Sequence, residues 1–171
     1  VFMYHRVGDH RYPSTNVSIE QLKSQIFEVK KNHYNILKAS DVVRHIAEGI
    51  EFKKNSVAFT IDDAYVSFYE NGWPLFRDND IPATLFISTD MTDFSIPDYM
   101  SWDQIRKYIN EGGIIGQHTA SHMSLPFNNV ENIKEDILRS QKRFMEELGF
   151  IPDLFAFSFG EASEDVISII K

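Results

Sequence analysis

The chain has 171 residues, of which 43% are hydrophobic and 25% are charged, and this composition favours one globular domain with a sizeable core. A formal net charge of -8 opposes binding to the phosphate backbone of a nucleic acid. There is no cysteine, which excludes disulfides, thiolate nucleophiles and cysteine-ligated metal sites, and no apolar run approaches the roughly 18 residues of a membrane span.

Strands and helices are predicted to alternate along the first part of the chain. Short apolar runs indicate strands at residues 1–4, 34–37 and 57–61. Ser18 with Gln21 three residues later is typical of a capping box and predicts a helix that continues to Lys31. A second helix is predicted from a cap at Ser40 to Gly49, because glycine readily takes the left-handed conformation that ends many helices.

The same alternation continues to the end of the chain. Residues 65–79 are predicted to be helical, with Pro74 kinking the segment or starting a second one. Residues 89–97 are predicted to form a long polar loop, and Ser101 with Gln104 indicates a second capping box. Further strands are predicted at residues 83–88, 114–117 and 154–158, and further helices at residues 102–110, 133–148 and 164–170.

This alternation predicts a single α/β domain, residues 1–171, with a parallel sheet. Parallel sheets and barrels collect their functional groups at the carboxyl ends of the strands. Five candidate residues lie at or just beyond predicted strand ends: His5, Asp62, Asp63, His118 and Ser158. We therefore expect these side chains to lie along one edge of the sheet.

The histidines of the sequence suggest a metal site. His118 and His122 stand four residues apart, so a helical turn would place both imidazoles on one face. A carboxylate from Asp62 or Asp63 would complete the ligand set of a divalent cation, with zinc expected and one position open for water. Adjacent residues at a strand end point in opposite directions, so one aspartate would bind the cation and the other would act as a base. The alternative for the pair is a cap of the following helix.

Three segments carry these residues in order along the chain. They are Thr60-Ile61-Asp62-Asp63-Ala64, His118-Thr119-Ala120-Ser121-His122 and Phe155-Ala156-Phe157-Ser158-Phe159-Gly160-Glu161. They resemble the three main motifs of the polysaccharide deacetylases, carbohydrate esterase family 4. Residues 3–7 and 81–86 are similar to the branch that deacetylates the exopolysaccharide poly-N-acetylglucosamine.

The resemblance implies a distorted (β/α) barrel of about seven strands, incomplete at the carboxyl end of this chain. It also implies a hydrolase that removes N-acetyl groups from N-acetylglucosamine units of a polysaccharide. The implied ligands are Asp63, His118 and His122, with Asp62 as the base and the backbone amide of Phe159 at the oxyanion. Contacts with the substrate or with the ligand residues are expected from His5, Thr119, Ser121 and Ser158.

The chain departs from the family motifs in ways that bear on the site. Ala64 replaces a glycine, which requires that this residue avoid a positive φ. Ser158 replaces the usual proline, so we expect a looser oxyanion loop, and Ala156 stands where many relatives have an arginine that orients the base. The histidine that protonates the leaving amine in the family is expected beyond Lys171, unless His5 or another group replaces it.

Other functions stay open as alternatives. They are a non-catalytic carbohydrate-binding relative and a deformylase or deacetylase of a sugar-lipid or another small amide. A non-haem iron oxygenase also uses two histidines and one carboxylate, but the strand and helix alternation disfavours it.

The expected partner is an N-acetylated polysaccharide or oligosaccharide, and export to the periplasm, cell envelope or exterior is expected, with a segment upstream of Val1. Trp73 is predicted to lie in the core, whereas Trp102 and Tyr99 are candidates for stacking on sugar rings.

Overall fold

A computed structural model describes residues 1–170 of the protein. Its strands are β1 (Phe2–Tyr4), β2 (Arg6–Val7), β3 (Asn16–Val17), β4 (Asn35–Leu37), β5 (Ser56–Asp62), β6 (Ala83–Ile87) and β7 (Ile114–Gln117). Its α-helices are α1 (Ile19–Lys31), α2 (Ala39–Glu48), α3 (Trp73–Arg77), α4 (Thr89–Asp93), α5 (Trp102–Asn110), α6 (Val130–Leu148) and α7 (Glu164–Ile170).

Strand β5 organises a five-stranded parallel sheet. Its residues 59–62 pair with β6, which pairs in turn with β7. Strand β1 pairs with residues 59–61 on the edge opposite β6, and β4 pairs with residues 56–58. Strands β2 and β3 form a separate parallel pair. The predicted α/β class with a parallel sheet is confirmed, and the closure of a barrel stays a prediction.

The core is built on β5 and β6, which are buried almost throughout. Such continuous burial is typical of parallel strands covered on both faces. Four helices contribute apolar side chains to this core, among them Leu22, Phe76, Ile105 and Phe144. Trp73 lies in it as predicted, and Trp102 is also buried there, with Nε1 donating to Asp93 at 2.8 Å. Trp102 is therefore a core residue and does not form part of a sugar-stacking rim.

The predicted helix ends are mostly correct because local interactions determine them. Ser18 with Gln21 and Ser101 with Gln104 both form complete capping boxes, which start α1 and α5. Gly49 follows the end of α2 in the left-handed conformation. The predicted cap at Ser40 is wrong, since α2 begins at Ala39.

Residues 65–79 are largely helical, as predicted, with a π-helical stretch, Phe68–Gly72, followed by α3, and Pro74 lies in the first turn of this second segment. Two other predicted segments differ from the structure. Residues 89–97 begin with α4 instead of forming a loop throughout. Residues 154–158, all of them described, form no strand beyond an isolated bridge from Phe155 to Gln117, because the chain turns into a 3-10 segment at Ser158–Gly160.

Among the helices of residues 1–170, none has the length and apolar character needed to cross a membrane.

Candidate metal centre

The parallel sheet brings the predicted site residues together. Asp62 ends β5 and Asp63 follows it, whereas His118 follows β7 and His5 follows β1. Because these strands are parallel, their carboxyl ends lie along one side of the sheet. The second histidine, His122, reaches the same place through a turn at residues 118–122, which we call the histidine turn.

Three of these side chains form a compact group of possible metal ligands. Nε2 of His122 lies 3.3 Å and Nε2 of His118 lies 3.7 Å from Oδ1 of Asp63. One ligand atom from each residue lies within 4.8 Å of the other two. The third histidine of the site region, His5, places Nε2 4.0 Å from the other carboxylate oxygen of Asp63. Two imidazoles and one carboxylate are a donor set that catalytic zinc sites use.

His118 is held in the tautomer that a metal ligand needs. Its Nδ1 lies 2.9 Å from the carbonyl oxygen of Ala156, which can only accept, so Nδ1 carries the proton. The lone pair of Nε2 is then free on the side of Asp63. Burial lowers the pKa of His118 and thus favours the neutral ring. The hydrogen bond with Ala156 and the charge of Asp63 raise this pKa, but their effect is smaller than that of burial. Burial also lowers the pKa of His5.

The two adjacent aspartates occupy different environments. Asp62 is 9% exposed, and it lies outside the group formed by Asp63 and the two histidines. Burial raises the pKa of the Asp62 carboxyl to about 7, and the negative charge of Asp63 acts in the same direction. A carboxyl group with a pKa near neutrality is suited to accept a proton during a reaction. The two aspartates therefore differ in their neighbours, and their separate roles as ligand and base stay a prediction.

Several residues of the site have a left-handed backbone, which is unfavourable for residues other than glycine. These residues are Asp63, Ala64, Thr119, His122 and Phe159, with φ between 54° and 73°. Ala64 has φ 54°, so the requirement that it avoid a positive φ is not met. Strained backbone of this kind is concentrated at functional sites.

The third motif segment packs against the histidine turn. Ser158 is fully buried, and its Oγ lies 3.3 Å from Oγ1 of Thr119. The serine therefore links the expected oxyanion loop to the histidine turn. Phe159 is 65% exposed, with its ring centroid 4.6 Å from that of His122 in an edge-on arrangement. The role of the Phe159 amide at the oxyanion stays a prediction.

Sequence reasoning missed one residue that supports the histidine turn. Asp136 of α6 is 3% exposed, and its carboxylate accepts hydrogen bonds from the turn at Ala120 and Ser121. A signal was present, because Asp136 lies on the same face of the helix as the buried residues Ile133 and Ile137. A charged residue on an apolar helix face needs a partner, and the histidine turn provides it.

The fold and the site together define an α/β protein with a candidate metal centre at the carboxyl ends of parallel strands. The chain belongs to the polysaccharide deacetylase family, because residues 49–171 match the model of that family. The resemblance that the sequence motifs suggested is thus confirmed.

The chain is similar to individual deacetylases in both sequence and structure. The chain is 25% identical over 182 aligned positions to the poly-beta-1,6-N-acetyl-D-glucosamine N-deacetylase of Staphylococcus aureus, covering 99% of this chain and 62% of that protein. The structure of the Streptococcus pyogenes deacetylase PplD in complex with acetate matches with a TM-score of 0.86 and 19% identity. IcaB from Ammonifex degensii matches with a TM-score of 0.84 and 22% identity. Both alignments cover 99% of this chain and 77% of the other, and they establish the common fold.

Proposed function

We propose that this protein is a metal-dependent carbohydrate deacetylase that hydrolyses the N-acetyl groups of N-acetylglucosamine units in a polysaccharide. The observation that carries the proposal is the group of Asp63, His118 and His122 with the buried carboxyl of Asp62 beside it. Membership of the deacetylase family and the named activity of the staphylococcal relative support the reaction and the substrate class. We further propose that residues 1–171 form one deacetylase domain and that the protein acts on a polymer outside the cytoplasm.

The site residues fit a divalent cation, for which zinc is the best match to the donor set. Asp63 would provide one carboxylate oxygen, and His118 and His122 would each provide Nε2. The His118 ring is already oriented by its hydrogen bond to Ala156, as is usual for a ligand histidine. When bound, the cation would supply a Lewis acid that makes water a nucleophile near neutral pH.

The remaining site residues would each have a separate task. Asp62 would accept the proton of the attacking water, a contribution of about 10²–10⁴ in rate for a well-placed base. The backbone N–H of Phe159 would donate to the oxyanion, and loss of one such donor typically costs about 3 kcal/mol. The hydrogen bond between Ser158 and Thr119 would hold that amide against the histidine turn. His5 would orient Asp63 or contact the substrate. The products are acetate and the free amine of the sugar.

Two substitutions separate these roles. We expect Asp62→Asn to keep zinc and to lose acetate release from N-acetylglucosamine oligomers, whereas Asp63→Asn loses both. Zinc content is measured by elemental analysis after dialysis, and acetate by an enzyme-coupled assay. Asp103→Asn is the matched control, because Asp103 is an exposed carboxylate whose side chain is 90% accessible. Equal loss of zinc in both aspartate variants would contradict the assigned roles.

A non-catalytic carbohydrate-binding protein is the second candidate. It is favoured by the altered motif positions Ala64 and Ser158 and by the exposed ring of Phe159, which could stack on a sugar. Under this alternative, zinc-loaded protein binds N-acetylated oligosaccharides in calorimetry and releases no acetate. A formate assay on the matching N-formylated oligosaccharides, run beside the acetate assay, distinguishes deformylation from deacetylation.

A further inference from the structure

A single buried carboxylate holds the segment between the two ligand histidines. Oδ1 of Asp136 accepts the backbone N–H of Ala120 at 2.7 Å. Oδ2 accepts the backbone N–H of Ser121 at 3.2 Å and its hydroxyl at 2.6 Å. Ala120 and Ser121 are the middle of the histidine turn, so three donors between His118 and His122 converge on one side chain.

The same turn is held from its other side by the start of α4. The backbone N–H of Asp90 donates to the carbonyl oxygen of Ala120 at 2.9 Å. The hydroxyl of Ser88 donates to the carbonyl oxygen of His118 at 2.8 Å. Both the donors and the acceptors of the turn are thus used by neighbouring elements.

Arg139 connects the two sides. Its Nη2 lies 2.9 Å from Oδ2 of Asp136 and 2.9 Å from Oδ2 of Asp90. The guanidinium therefore offsets the charge of the buried Asp136 carboxylate and joins α6 to α4 across the histidine turn. A buried carboxylate without such a partner would be strongly unfavourable.

The histidine turn needs this support because its backbone is strained. Thr119 has φ 65° and His122 has φ 57°, and a left-handed conformation costs roughly 1–2 kcal/mol for each residue other than glycine. Without external hydrogen bonds, the turn would relax towards other conformations. His122 would then move away from Asp63, because the conformation of the turn sets the distance between His122 and His118.

We propose that Asp136 is a positioning residue for the metal site, which presets the distance between His118 and His122 before the cation binds. This inference rests on the proposed metal-dependent function, since it concerns the affinity of the same ligand group. Asp136 does not reach the ligand group itself and acts only through the backbone and hydroxyl of the turn. Residues that orient metal ligands in this way typically change metal affinity 10–100-fold when they are replaced.

The test compares three variants with the wild-type chain. Asp136→Asn keeps the size of the side chain and replaces one accepting oxygen with a donating NH₂. Ser121→Ala removes only the hydroxyl donor. Asp93→Asn is the matched control, because Asp93 also joins α4 to α6 through an arginine, Arg143, but makes no hydrogen bond to the histidine turn. Zinc affinity is measured by competition with a chromophoric chelator, and Co²⁺ absorption spectra report the ligand geometry.

We expect Asp136→Asn to bind zinc about 10–100-fold more weakly and to change the Co²⁺ spectrum, with a smaller change in the same direction for Ser121→Ala. Asp93→Asn should keep the wild-type affinity and spectrum. Wild-type zinc affinity in Asp136→Asn, or an equal loss in Asp93→Asn, would overturn the proposal. If Asp136→Asn does not fold by circular dichroism, Ser121→Ala decides, and unchanged affinity there overturns it. A wild-type chain that binds no zinc would instead refute the proposed metal-dependent function.

Discussion

The left-handed backbone of Ala64 leads to a prediction about stability. Ala64 directly follows the ligand Asp63, has φ 54°, and is 1% exposed. Replacing it with glycine removes a conformational strain of about 1–2 kcal/mol. The same change removes a buried methyl group, worth about 0.8 kcal/mol, and adds about 0.4–1 kcal/mol of backbone entropy to the unfolded chain. These contributions nearly cancel, so we expect Ala64→Gly to change the free energy of unfolding by less than about 1 kcal/mol.

Ala83→Gly is the matched control. Ala83 is also 1% exposed, but it lies in β6 with ordinary strand geometry, so no strain is relieved. We expect the free energy of unfolding of this control to fall by about 1–2 kcal/mol, from the lost methyl group and the added entropy of the unfolded chain alone. Both variants are compared by urea unfolding monitored by circular dichroism, with equal m-values required. If Ala64→Gly is destabilised as much as Ala83→Gly, the positive φ of Ala64 carries no strain and the reasoning is refuted.

Three further predictions concern the packing at Gly116, the stacking of Arg6 on two tyrosine rings and the metal. Gly116→Ala should destabilise the fold by about 1–3 kcal/mol or prevent folding, because its Cβ would lie 2.4 Å from the ring of Phe86, and an unchanged thermal midpoint would contradict this. Arg6→Lys should lower the free energy of unfolding by about 1–2 kcal/mol, because Cζ of the planar Arg6 guanidinium lies 3.9 Å from the ring centroid of Tyr12 and 3.4 Å from that of Tyr65. Full retention of stability would show that this stacking is unimportant. Treatment with a chelator should abolish acetate release and added zinc should restore it, so full activity in metal-free protein would exclude a metal-dependent reaction.

Much of the fold could be predicted because local rules determine it. The two capping boxes satisfy backbone groups within a few residues of each other, so Ser18 and Ser101 identify their helices without knowledge of the rest of the chain. The buried strand β5 is recognisable from its apolar run, which places the aspartate pair at a strand end. The prediction of a strand at residues 154–158 is wrong because an apolar run does not reveal that the chain makes one bridge to Gln117 and then turns into the 3-10 segment Ser158–Gly160.

The candidate ligands were predicted because their residue types and order carry the information. The sequence alone singled out Asp62, Asp63, His118 and His122 as candidates to bind a cation or accept a proton, and all four lie within residues 49–171, which match the family model. Their chemistry depends on the side chains themselves, which sequence displays directly.

Only the tertiary structure decided how these groups differ and what holds them. Asp62 and Asp63 differ through tertiary contacts, because Asp63 lies beside His5, His118 and His122, whereas burial raises the pKa of Asp62. The left-handed backbone of Ala64 and the hydrogen bonds of Asp136 to the histidine turn arise from contacts between segments far apart in the chain. Such contacts overrule local preference because many buried interactions together outweigh the strain at a single residue.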